Sequence, residues 1–168
     1  MLTEIPSRDD TLGFATRTLN NLVFIEQAYS NDQNNEVHTV TQLVLSLLGI
    51  LVFPYGKLGA LQNPIFSKTL LKATEEGWLG FRITMDDEKG KDTAKRTENV
   101  RHLVRHLRNA VSHGRIRFRT DSRNPSEETL TFEDGPTGGQ PNWRAEITGS
   151  ELRQFCTGFL QLVNSAMN

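Results

Sequence analysis

Between Arg101 and Arg115 the chain reads RHLVRHLRNAVSHGR, and inside that stretch Arg108, Asn109 and His113 combine a permanent cation, a polar amide and a group that exchanges protons near neutrality. On a helix Asn109 and His113 form an i,i+4 pair, and Arg108 lies beside them with a side chain long enough to reach the same pocket. Such a site is basic and proton-transferring, with no nearby carboxylate.

A helix is what the stretch predicts. Val100, Leu103, Val104, Leu107, Ala110 and Val111 recur at the spacing of an amphipathic stripe, which becomes the core face of a helix running from about Thr93 to His113. The other positions form two polar rows expected to face away from the core. One holds His102, His106, Asn109 and His113, the other Arg101, Arg105, Arg108 and Ser112. Gly114 stands where a left-handed residue closes a helix, which puts His113 in the last turn, at the mouth of whatever cleft the helix borders.

An arginine followed by a histidine recurs in the same helix, at Arg96 to His102 and Arg101 to His106. Arg108 to His113 is favoured by the Asn directly after the Arg, by the small Ala110 and Ser112 that let another backbone approach, and by Gly114. Arg101, His102 and His106 then extend the cleft as phosphate contacts, or form the alternate catalytic register. An ordinary solvated basic face is the competing explanation of the whole helix.

The rest of the chain must position that helix. Its 168 residues suit one domain, 1–168, able to bury a core unaided. The formal charge is −1, yet the window from Lys95 to Arg119 carries +7 and the remainder −8, a local positive field suited to an anionic ligand held at one place. A lone cysteine, Cys156, excludes an internal disulfide and a cysteine metal cluster. No signal peptide is legible at the N-terminus, and the apolar run Leu43 to Phe53 is too short for a bilayer, so a cytoplasmic protein with no membrane partner is expected.

Ser7 and Asp10 read as the capping box of a first helix to about Tyr29. Val37 to Phe53, apolar on most sides, reads as a central helix ended by Pro54. Asn63 and Pro64 start a third, with Phe66, Leu70 and Ala73 inward, stopping near Gly77. Residues 78–85 are ambiguous between strand and loop, and 86–92 are charged. Beyond the motif the period changes to two, with Ile116 and Phe118, Leu130 and Phe132, then Trp143, Ala145 and Ile147 as inward positions. Thr148 and Glu151 cap a last helix that turns Leu152, Phe155, Cys156, Phe159 and Val163 inward. The expectation is a mainly α fold, four to five helices with a small antiparallel sheet of about three strands before the C-terminal helix.

The RNxxxH of Arg108 to His113, late in a helix of a helical bundle, resembles the signature of the HEPN superfamily (higher eukaryotes and prokaryotes nucleotide-binding). The GRIRF that follows, the Trp143 strand and the ELRQF helix look like a prokaryotic HEPN ribonuclease subgroup with a small sheet after the motif. The resemblance covers residues 95 to 165, and the first three helices by architecture alone. It implies a ribonuclease without metal or other cofactor, acting on RNA as a homodimer whose motif helices share one cleft, as a toxin with a possible cognate antitoxin or as an antiviral effector. Arg108 and His113 carry over as catalytic and Asn109 as the residue that orients them. Arg101, His102, Arg105, His106, Arg115 and Arg117 are the expected RNA contacts.

RNA is cut without metal when its 2′-hydroxyl attacks the adjacent phosphate, which needs a base, an acid and positive charge on the phosphorane. On this reading His113 moves protons, Arg108 stabilises charge through its forked donors and Asn109 fixes geometry. A non-catalytic nucleotide- or RNA-binding module and an interaction subunit are the alternatives.

Overall fold

The computed structural model describes residues 8–31, 36–58, 64–77, 80–87 and 97–167. Helix α1 spans Arg8–Asn31, α2 Thr39–Leu47, α3 Phe53–Leu58, α4 Leu70–Glu75, α5 Val100–Ser112 and α6 Gly149–Met167. Strand β1 is Arg82–Asp86, β2 Ile116–Phe118, β3 Thr129–Asp134 and β4 Trp143–Thr148. The fold is mainly helical, with α5 packed between β3 and the helical turn Leu48–Val52 that joins α2 to α3, and α6 against α1 and β4. Among the described residues no helix is long and apolar enough to cross a membrane.

Among the described residues the sheet holds four antiparallel strands in the order β1-β4-β3-β2 rather than about three. The additional edge strand comes from the ambiguous segment, where Arg82 faces Glu146 across the ladder and the two side chains pair. Its sequence, Arg-Ile-Thr-Met-Asp, alternates too weakly to declare a face, and its pairing depends on β4, some sixty residues on. The central strands behave as their pattern requires: Leu130, Phe132, Trp143, Ala145 and Ile147 are all buried.

Pro54 does not end the central helix. A proline ring in an α-helix collides with the carbonyl four residues back and supplies no N–H. Here the chain widens into a π-helical turn over Leu48–Val52, in which Phe53 N–H donates to the Leu48 carbonyl, and continues past Pro54 as α3. Gly49 in that turn lies against α1, where a Cβ would collide with Thr18 Oγ1. The turn also keeps Ile50 and Leu51 fully buried.

The third helix is shorter and broken. A 3₁₀ turn at Pro64–Ser67 precedes α4, which starts only after Thr69, whose side chain accepts from Lys72 N–H at 3.2 Å. Asn63 lies outside the described residues, as does Ser7. Phe66 and Ala73 are buried as expected, and Gly77, at φ 78°, follows the end of α4.

Helix α5 begins at Val100, well after Thr93, and residues 88–96 are outside those described. The reason lies in residues 97–99: Asn99 forms an extended bridge with Thr69 and caps the helix by accepting from His102 N–H at 3.0 Å. Over its 13 residues α5 is about 20 Å long. Val100, Leu103, Val104, Leu107 and Ala110 are buried along the predicted stripe, each leucine or valine contributing about 1.5–3 kcal/mol.

The Thr148–Glu151 capping box closes as the sequence predicts. Thr148 N–H and Oγ1 donate to Glu151 Oε2 at 2.9 and 2.8 Å, and Glu151 N–H donates to Thr148 Oγ1 at 3.3 Å. The inward positions of α6 are buried, Cys156 among them, and burial pushes its thiol up to about 12. Cys156 is therefore expected to resist thiol reagents in the native protein and to react fully once denatured; rapid native labelling in a thiol assay would contradict this packing.

Candidate functional site

Helix α5 ends in a Schellman motif: Arg115 N–H donates to the Ala110 carbonyl at 2.8 Å, Gly114 N–H to that of Val111 at 3.2 Å, and Gly114 takes φ 63°. His113 is thereby held at the C-cap, exposed, where the polypeptide leaves the helix for β2. Arg108, one and a half turns earlier, is half-buried, with its guanidinium 5.4 Å from the centre of the Tyr55 ring on α3. It donates from Nη1 to Asn109 Oδ1 at 2.9 Å, while its Nε is buried and without a hydrogen-bond partner.

Asn109 in turn donates from Nδ2 to Asp134 Oδ2 at 3.0 Å. The same oxygen accepts from His106 Nδ1 at 2.8 Å, and Arg105 Nη2 reaches His106 Nε2 at 3.1 Å. A guanidinium can only donate, so Nε2 carries the lone pair and the ring proton sits on Nδ1. The ring of His106 stacks on Trp143 at 4.6 Å between centroids and 8° between planes. Trp143, core as expected, donates from Nε1 to Thr97 Oγ1 at 2.8 Å.

Two expectations are corrected here. The polar row containing His106 does not all face solvent: His106 is 0% exposed, sealed between Asp134 and Trp143, with no face of its ring open to a ligand. Its ring can enter the core because both nitrogens find partners there. The site is also not free of carboxylates, since Asp134 lies directly against it. A period-two signal for Asp134 was present, since Leu130, Phe132 and Asp134 continue one inward-facing row of β3.

Burial alone would raise the Asp134 carboxyl, but hydrogen bonds from His106, Asn109 and Gly135 N–H hold it below its ordinary 3.8. Glu128 follows the same logic: burial raises it, and donors from Thr120, Arg119 and Ser122 bring it below 4.5. A carboxyl depressed on folding adds stability above its unfolded value, and that stability is lost as pH falls through the lower folded value. Urea unfolding is expected to show a steep loss of stability below about pH 4. Glu128→Gln should make that acid limb shallower, and an unchanged limb would count against the assignment.

The remaining candidates divide between two places. Arg101 and Arg105 share a row with Arg108, Arg101 donating to Ser67 Oγ at 3.3 Å, and His102 is half-buried beside them. Arg115 instead ties the β3–β4 turn, donating to the carbonyls of Gly135 at 2.9 Å and Pro136 at 3.1 Å. Arg117 is exposed and pairs with Glu133 at 3.0 Å, a carboxylate that Arg144 also holds at 2.6 and 2.9 Å. Ala110 is buried in this chain's own core and unavailable to an approaching backbone, whereas Ser112 is exposed.

The sequence profile of the family described as HEPN pEK499 p136 matches residues 5–168. The chain belongs to that HEPN family. No curated protein and no solved structure matches it. HEPN membership supports a nucleotide- or RNA-related function, and on α5 the guanidinium of Arg108 lies over the Tyr55 ring in a row that also holds Arg101 and Arg105. Among the described residues no group of His, Cys, Asp or Glu side chains is arranged to hold a metal ion.

Proposed function

We propose that this HEPN chain is a metal-independent endoribonuclease that cuts RNA by attack of the 2′-hydroxyl on the adjacent phosphate. The observation that carries the reading is the arrangement of the motif at the end of α5: His113 is exposed at the helix end, while Arg108 is clipped to Asn109 above Tyr55 in the turn below. His113 transfers the protons, Arg108 neutralises charge on the phosphorane, and Asn109 fixes the guanidinium. Arg101, His102 and Arg105 extend the track for the phosphates. Arg115 and Arg117, already committed to the turn and to Glu133, add positive field at its end.

One His113 does not act comfortably as both base and acid in a single step. A two-fold dimer that brings a second His113 to the cleft meets that need. The setting that fits is a cytoplasmic toxin or antiviral effector, with a cognate antitoxin as partner in the former case.

The test is incubation of total cellular RNA with purified protein in EDTA, read on a denaturing gel with end-group analysis. Discrete fragments with 2′,3′-cyclic phosphate and 5′-hydroxyl ends are expected, and DNA should stay intact because it lacks the attacking hydroxyl. A strict requirement for Mg²⁺ would sink the mechanism. Tight RNA binding with no product would transfer the assignment to a binding module built on the same arginine row.

A further inference from the structure

Two branches of two hydrogen bonds each converge on one buried carboxylate, that of Asp134. From one side Arg105 Nη2 donates to His106 Nε2 at 3.1 Å and His106 Nδ1 donates to Asp134 Oδ2 at 2.8 Å. From the other, Arg108 Nη1 donates to Asn109 Oδ1 at 2.9 Å and Asn109 Nδ2 donates to the same Oδ2 at 3.0 Å. Every donor in the chain points toward Asp134, and two arginine heads of the basic row are its outer ends. Asp134 Oδ1 is occupied separately by Gly135 N–H at 2.8 Å, which fixes the carboxylate plane at the start of the β3–β4 turn.

We propose that Asp134 is a positioning residue that sets the spacing of Arg105 and Arg108, through His106 and Asn109, so that the two guanidiniums meet an RNA phosphate together. The proposal rests on the ribonuclease reading for its consequence in catalysis. Its physical basis is independent of that reading. A long arginine on a helix surface has many rotamers, and ordering it normally costs side-chain entropy at the moment of binding. A guanidinium already tied to a rigid sheet residue through one intermediary needs less ordering, and electrostatic stabilisation of a developing charge is strongest from donors already in place. The intermediaries are themselves immobile: His106 is clamped against Trp143, and Asn109 lies on the same helix turn as Arg108. The carboxylate is furnished by a strand far along the sequence, so the hairpin after α5 has a role in the site without touching the substrate.

Asp134→Ala is the discriminating variant. It removes Oδ2, the acceptor that both branches share, whereas an amide could keep its one oxygen in that place and leave both branches tied. The measurement is ¹⁵N relaxation of the arginine Nε–Hε groups, with the backbone amide spectrum as the control for folding, together with cleavage kinetics well below the melting temperature. Both arginine side chains should gain fast-timescale disorder, and kcat should fall about 100-fold, as small misplacements of catalytic groups do. His106→Asn separates the two branches, since its amide reaches the place of Nδ1 but leaves nothing at the position of Nε2. There Arg105 alone should loosen, with Arg108 unchanged. Arginines that stay ordered in Asp134→Ala, or a wild-type kcat in that variant, overturn the proposal. Absence of cleavage by the wild-type protein would instead sink the ribonuclease reading, and the relaxation data would still decide whether Asp134 holds the arginines.

Discussion

His113→Ala is expected to leave a folded protein whose RNA cleavage is slower by about 10²–10⁴-fold, the range that a positioned acid–base group supplies. The side chain is exposed at the C-cap, so removing it opens no cavity and leaves the Schellman hydrogen bonds of the helix end in place. Arg108→Ala should cost about 10²–10³-fold, comparable to deleting one donor to a developing oxyanion. His106→Ala makes the opposite pattern: it empties a buried site, strands Asp134 and the Trp143 face, and should register first as lost stability. Single-turnover cleavage alongside thermal melts distinguishes these cases. Wild-type cleavage by His113→Ala would remove the histidine from the mechanism, and growth arrest on expression that survives in that variant would remove ribonuclease activity as its cause.

Trp143→Ala should be the most destabilising single change in the sheet, by about 3–5 kcal/mol. Trp143 is fully buried, and its truncation loses the packing volume, the stacked face beneath His106 and the hydrogen bond to Thr97 together. Against a total stability of about 5–15 kcal/mol this is at least about a fifth of what holds the domain together. Trp143→Phe keeps a stacking ring and gives up the indole donor, so a smaller loss of about 1–2 kcal/mol is expected. Urea unfolding of both variants reads the difference. Equal losses would mean that the hydrogen bond to Thr97, and not the stack on His106, is what the indole contributes.

These two predictions locate the division between local pattern and three-dimensional context. The stripe of α5, the glycine that closes it, the inward residues of β3 and β4, and the Thr148–Glu151 box were legible because each depends on residues within one or two turns of one another. The same holds for the buried face of α6, Cys156 included. Helix spacing put Arg108, Asn109 and His113 in their order, and the family match over residues 5–168 agrees with the superfamily that this motif resembles.

What sequence alone left open depends on partners distant along the chain. Asp134 lies 28 residues from His106 and 25 from Asn109, and only the packing of α5 on β3 makes the three one network. That packing turned a solvent-facing histidine into a buried one, because a ring with both nitrogens satisfied no longer needs water. It also set apart two identical Arg-to-His spacings by exposure, since His106 ends in the core and His113 at the surface. The start of α5 was fixed by the Thr69 bridge to Asn99, the survival of the central helix past Pro54 by a π turn lying against α1, and the fourth strand by its pairing with β4. The sequence by itself determined which residues could do chemistry and on which element they lie; tertiary structure decided which of them meet solvent, because burial and hydrogen-bond satisfaction are set by what packs against a residue.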